Sequence, residues 1–432
     1  MQFHPEALVL AICLGSLATV QAGPVYQFNH GVWWNGAAFV ARTLYTDTHG
    51  VLREKSPPRV DEVIDLHGGY VIPPLAEGHN HWLEPAAADQ YNACYLADGV
   101  YYVRDMGNLP YLMDQMREKL NLPTSVDLVS AMTAFTGPGA HPVEIIDQFV
   151  QFGILPKDWK PDYDRKAEFV VRTEGDIDER FPELLKQHPH YVKAFLLFSE
   201  EYEQRKNDPS KYGNHRGMDP KLLPHLVKLA HAAGLKVAVH VYTASDFRDA
   251  IASGADNIEH VPGDGASNEP QMGLEHFKLT LADAKLAAAR HITVTTTVDW
   301  LGSDKTPETQ TLTEEVIVPN LIALKTQGVA IMVGSDHFRR SSLGEVLELR
   351  DLKVFSNEEL LDLATRRTAN FIFPERKIGK LKEGYEANFL VLERNPIENL
   401  DNIKSIVLRV KQGHRLALPE SAVKRATLDC VE

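Results

Sequence analysis

Six side chains able to bind a metal ion stand in order along this chain: His79, His81, Lys193, His240, His260 and Asp336. Each sits near the end of a short apolar run that reads as a β-strand. His79 and His81 flank Asn80 in GHNH, after YVIPPLAEG. Lys193 opens KAFLLF, His240 follows KVAV, His260 closes NIEH and Asp336 closes VAIMVGSD. In an extended segment residues i and i+2 point to one side, so both imidazoles of the first pair can reach one ion. His240 and His260 are twenty residues apart, the length of one strand–helix unit, which predicts neighbouring strand ends. Imidazole nitrogen suits zinc best, with iron, cobalt and manganese as alternatives. Asp336 can bind a metal through one oxygen and serve as a general base through the other. A protonated Lys193 facing metal ions would be repelled. As a neutral amine it can take up carbon dioxide, and the resulting carbamate can bridge two cations. A salt bridge at a barrel rim is the alternative for Lys193, and it leaves room for one metal instead of two.

The surrounding elements must bring these residues together. From about residue 70 to 336 the pattern of strand, loop and helix repeats, and eight strands can be counted from YVIPPL to VAIMVGSD. Asp219 caps a helix with apolar positions at Leu222, Leu223, Leu226, Leu229 and Ala230. Ser245 and Thr280 start two more, and Glu314 to Lys325 forms another. Ser356 and Glu359 make a capping box after the eighth strand. Alternation of this kind predicts an α/β fold, a (β/α)8 barrel whose strand C-terminal ends share one face. Residues 134–175 and 199–217 leave from such ends and are expected to overhang the site. Short alternating strands at 23–70 and 373–418 read as two halves of a small β-sandwich flanking the barrel at 71–372. Residues 419–432 read as a tail.

Residues 7–20 are apolar and end in Val20-Gln21-Ala22, the pattern of a secretory signal peptide spanning residues 1–22. The expected product is an exported protein, periplasmic or extracellular. The net charge of −14 argues against nucleic acid and anionic membrane surfaces as partners. A small-molecule substrate is expected, and assembly into a homo-oligomer is compatible with everything above. Cys94 and Cys430 could pair in an oxidising compartment or remain separate buried thiols.

This ordered set resembles the amidohydrolase superfamily: HxH on the first strand, Lys on the fourth, His on the fifth and sixth, Asp on the eighth. The stretches VIDLHGGYVIPPLAEGHNH, VRDMGN, HVYTASDFRDAIASGADNIEH and IGKLKEGYEANFLVLERNP are similar to the branch with bacterial prolidases, Xaa-Arg dipeptidases and imidazolonepropionase. The resemblance implies two divalent cations, most readily zinc. His79, His81 and Asp336 would serve one, His240 and His260 the other, with carboxylated Lys193 and a hydroxide between them. It implies that Tyr242 polarises the scissile carbonyl and that His141 contacts substrate. Arg339 and Arg340, just beyond Asp336, could pair with a substrate carboxylate. The expected activity is hydrolysis of an amide bond in a dipeptide or N-acyl amino acid, with Asp336 as proton shuttle. The alternatives are esters, lactones or cyclic amides on the same site, or a silent metal-binding scaffold.

Overall fold

The computed structural model describes residues 23–82, 84–266, 269, 271–425 and 427–430. The leader expected at residues 1–22 lies outside them.

Eight parallel strands form the barrel: Leu75–Asn80, Val100–Asp105, Asp127–Ser130, Val192–Phe195, Val237–His240, Asn257–Glu259, Thr293–Thr295 and Ala330–Met332. The first seven are buried at every position, as strands covered on both faces must be. Closure occurs between the first and eighth. Gly78 N–H donates to Val333 O at 2.8 Å, and Asp336 N–H donates to His79 O at 2.8 Å. A Cβ on Gly334 would lie 2.5 Å from His79 N, and one on Gly78 would lie 2.5 Å from Val333 O. The seam therefore needs glycine for close backbone approach, and it sets the His79–His81 segment against the one carrying Asp336.

Thr243 and Asp246 form a full capping box at the start of the helix Ala244–Ala252, and Thr280 with Asp283 does the same for Leu281–Ala289. The box at Ser356 and Glu359 opens Asn357–Asp362. Two sequence expectations change. The helix placed at Glu314–Lys325 begins earlier, at Pro307 behind the Thr306 cap, and passes through a π-helical turn at Thr313–Ile317. The stretch 134–175 is more ordered than an overhanging loop. Phe135–Thr136 and Phe169–Val170 pair in parallel and join the barrel sheet beside the fourth strand. Between them runs the helix Val143–Gln151.

Both ends of the chain meet in a separate eight-stranded sheet. Its junction is the antiparallel pairing of Tyr70–Ile72 with Phe389–Leu392. Phe28, Trp33, Val71 and Phe389 are fully buried there, and the Phe389 ring meets those of Phe28 and Trp33 edge-on at 5.0 and 5.2 Å. The tail is tied down as well. Cys430 is disulfide-bonded to Cys94, Arg425 pairs with buried Asp98, and Asp429 accepts from Arg340 Nε at 2.7 Å.

Candidate metal centre

All six ligand-type residues gather at the C-terminal mouth of the barrel. The His79 and His260 rings lie 4.9 Å apart, His240 and His260 4.3 Å, and His79 and His81 5.4 Å. Asp336 Oδ1 is 3.4 Å from both His79 Nε2 and His81 Nε2. His260 and Asp336 adopt φ of 77° and 48°, a region costly for side chains other than glycine and concentrated at functional sites. Lys193 is buried among them with its amine above the Phe195 ring.

The donor set fits divalent cations. Lys193 Nζ, His240 Nε2 and His260 Nε2 are buried without a hydrogen-bond partner among the described residues, and buried polar atoms are rarely left so. Burial holds His79 and His240 well below the usual histidine value and His260 down to about 3. Neutral imidazoles offer their lone pairs. Burial also pushes Lys193 down to about 8, despite the opposing charges of Glu259 and Asp336, which puts a neutral amine within reach of carbon dioxide.

Several contributors escaped the sequence reading. Glu259, fully buried, accepts from His79 Nδ1 at 2.7 Å and from Arg104 Nη1 at 2.7 Å. Such an acceptor fixes the imidazole tautomer and leaves Nε2 free toward the centre. Thr297 Oγ1 and Asp264 Oδ2 lie 2.7 and 3.2 Å from His260 Nδ1, and burial together with the charge of Asp336 pushes Asp264 up to about 7. Glu77 accepts from the backbone of His79 at 3.0 Å and of Ser335 at 2.9 Å, bracing the closing seam. The available signal was a charged residue inside an apolar strand: Glu77 in LAEGHN, Arg104 in YYVRDM, Glu259 in NIEH.

A cavity of about 240 Å³ opens above the centre, lined by His79, His81, Lys193, His240, Asp336 and Tyr242. The Tyr242 ring lies 4.8 Å from that of His240, tilted by 57°. Burial, with Asp264, Glu144 and Asp336 nearby, holds its phenol well above the usual value, so it stays a hydrogen-bond donor. His141 also lines the cavity, 5.0 Å from the His240 ring, and is paired with Glu144. The two arginines are not brought into the cavity. Arg340 is engaged by Asp429 and Asp299, and Arg339 is exposed.

Solved structures of the same fold include a Xaa-Pro dipeptidase with bound methionine (18% identity, TM-score 0.68, covering 91% of this chain and 99% of that one). A second is A. niger ochratoxinase (15%, TM-score 0.70, 93% and 97%) and a third phenylurea hydrolase B (14%, TM-score 0.69, 91% and 96%). No curated protein matches the sequence. The amidohydrolase family itself matches residues 94–416. With three quarters of its length in that match and a barrel of the same architecture, the chain belongs to the amidohydrolase family and is a hydrolase.

Proposed function

We propose that this protein hydrolyses the amide bond of a small substrate, a dipeptide or N-acyl amino acid, at a centre for two divalent cations. One observation carries the reading: four ligand-type side chains (His79, His81, His240 and Asp336), a buried lysine with a depressed pKa and a protonated phenol line a single small cavity. Prolidase and phenylurea hydrolase neighbours of the same fold support it. His79, His81 and Asp336 would hold one cation and His240 and His260 the other, with carboxylated Lys193 shared between them. The donor set favours zinc. When bound, such cations polarise a carbonyl and acidify water.

The chain's own groups do the rest. Tyr242 O–H donates to the carbonyl oxygen as negative charge develops there. Asp336 accepts the proton of the attacking water and returns it to the amine nitrogen, which is otherwise too basic to depart. Glu259 holds the His79 ring while this happens.

The deciding experiment is a mass-spectrometric screen of dipeptides, N-acyl amino acids, esters and lactones with zinc- and bicarbonate-treated protein, against a chelator control. Chelator-sensitive amide cleavage, reduced by about 10²–10⁴ in kcat/KM by Asp336→Asn, is the expected result. Cleavage of esters or lactones alone would move the function to that class. Full activity in Asp336→Asn would remove the proton shuttle.

We further propose that the protein is exported. The apolar leader and the Cys94–Cys430 bond both suit an oxidising compartment. The mass of the mature protein should place its first residue at Gly23.

A further inference from the structure

The cavity has two chemically different ends. One is the candidate metal centre. The other is an apolar wall that includes Leu109, Leu112, Ile146, Phe149 and Leu155, most of it backed by a small core of its own with Val150, Tyr163 and Ala167. In this second end sits one carboxyl group, Glu168. The residue is 3% exposed and lines the cavity, and its Oε2 has no hydrogen-bond partner among the described residues.

Its position is firmly determined. Arg165 N–H donates to Glu168 O at 2.7 Å, Glu168 N–H reaches Tyr163 O at 3.3 Å, and the next two residues pair with Phe135–Thr136. A buried unpaired carboxyl destabilises the fold, and an apolar side chain would pack better against this wall. The group is therefore placed to meet something that enters the cavity. Its surroundings say what charge that is. Asp162 and Asp164 on the same turn and Glu144 on the helix Val143–Gln151 all raise the Glu168 carboxyl, after burial, to about 8. Asp164 is answered by Arg180 and Glu144 by His141. Glu168 has no cation paired to it among the described residues.

We propose that Glu168 sets the substrate class, selecting molecules that carry an ammonium or guanidinium at the end of an aliphatic stem. The stem lies along the apolar wall while its charged head meets the carboxyl, the usual division of labour in a lysine or arginine side chain. Docking supplies the missing counter-charge, so the carboxyl ionises and releases a proton as the ligand binds. The inference rests on the hydrolytic reading for the word substrate, but not for the binding.

The test uses the full-length, metal-loaded protein and two ligands that differ only in the terminal ammonium, Nα-acetyl-lysine and Nα-acetyl-norleucine. Calorimetric titration in two buffers of different ionisation enthalpy gives affinity and proton release together. The wild type should prefer the lysine derivative by roughly 10–100-fold, with up to about one proton released. Glu168→Gln should lose that preference and the proton release, and Glu168→Leu should turn it toward norleucine. Equal affinity for both ligands, binding of neither at millimolar concentration, or a preference that survives both substitutions would overturn the proposal. Steady-state kcat/KM on dipeptide pairs with lysine or norleucine at either position separates this inference from the reading beneath it. Glu168-dependent binding without amide cleavage would sink only the hydrolytic reading, and amide cleavage without lysine preference would sink only this one.

Discussion

At the scale of single residues, the centre depends on groups that touch no substrate. Arg104 lies 4.1 Å from the Tyr191 ring centroid, donates to Glu259, and Glu259 in turn holds His79. The chain of contacts is buried throughout, so removing the charge in its middle leaves an uncompensated guanidinium and an unfixed imidazole. Glu259→Gln should weaken metal affinity by about 10–100-fold, measured by competition with a chromophoric chelator, while the fold persists by circular dichroism. Unchanged affinity would mean that the barrel alone orients His79. The six ligand-type residues could be read from the sequence because each lies in or just beyond an apolar strand. Glu259 could not be assigned a partner in advance, because that partner is 180 residues away.

At the scale of elements, two carboxylates organise the loops around the cavity. Asp246 accepts from the backbone of Phe198, Ser199, Tyr242 and Thr243 at 2.7–3.0 Å. One side chain thus caps a helix, holds Tyr242 and joins the ends of the fourth and fifth strands. Asp246→Ala leaves buried donors unpaired and should cost about 3 kcal/mol of stability, read as a lower denaturation midpoint. The sequence places this helix start at Ser245, two residues past the Thr243 cap, and the second function of Asp246 requires the neighbouring strand. On the turn that carries Glu168, Asp164 pairs with Arg180. Burial alone would raise Asp164, but the Arg180 hydrogen bonds and charge together with the Val170 N–H bring it below its usual 3.8. A depressed carboxylate stabilises the fold above its unfolded value, and that contribution is lost as pH falls through the lower folded value. Stability should therefore decline below about pH 4, and Arg180→Gln should flatten that decline in urea titrations at pH 3 to 6.

At the scale of the whole molecule, the chain closes on itself twice: at the junction of the two ends in the eight-stranded sheet, and at Cys94–Cys430 across 336 residues. The second closure pins the tail beside the segment that follows Asp336, where Asp429 engages Arg340 and Cys430 N–H donates to Arg339 O. Restricting so long a loop in the unfolded chain is worth roughly 2–5 kcal/mol. Cys94→Ser with Cys430→Ser should lower stability by that amount in equilibrium unfolding, and reductant should reproduce the loss. No effect of either would mean that the tail is held by its ion pairs alone. What the sequence determined by itself was the architecture and the ligand-type residues, since strand–helix alternation and a polar residue ending an apolar run are local patterns. What only the tertiary structure decided was everything that joins distant segments: the cysteine pairing, the diversion of Arg340 to Asp429, the support of His79 by Glu259, and the unpaired Glu168 across the cavity. These depend on distances between residues far apart in the chain, and local periodicity carries no information about such distances.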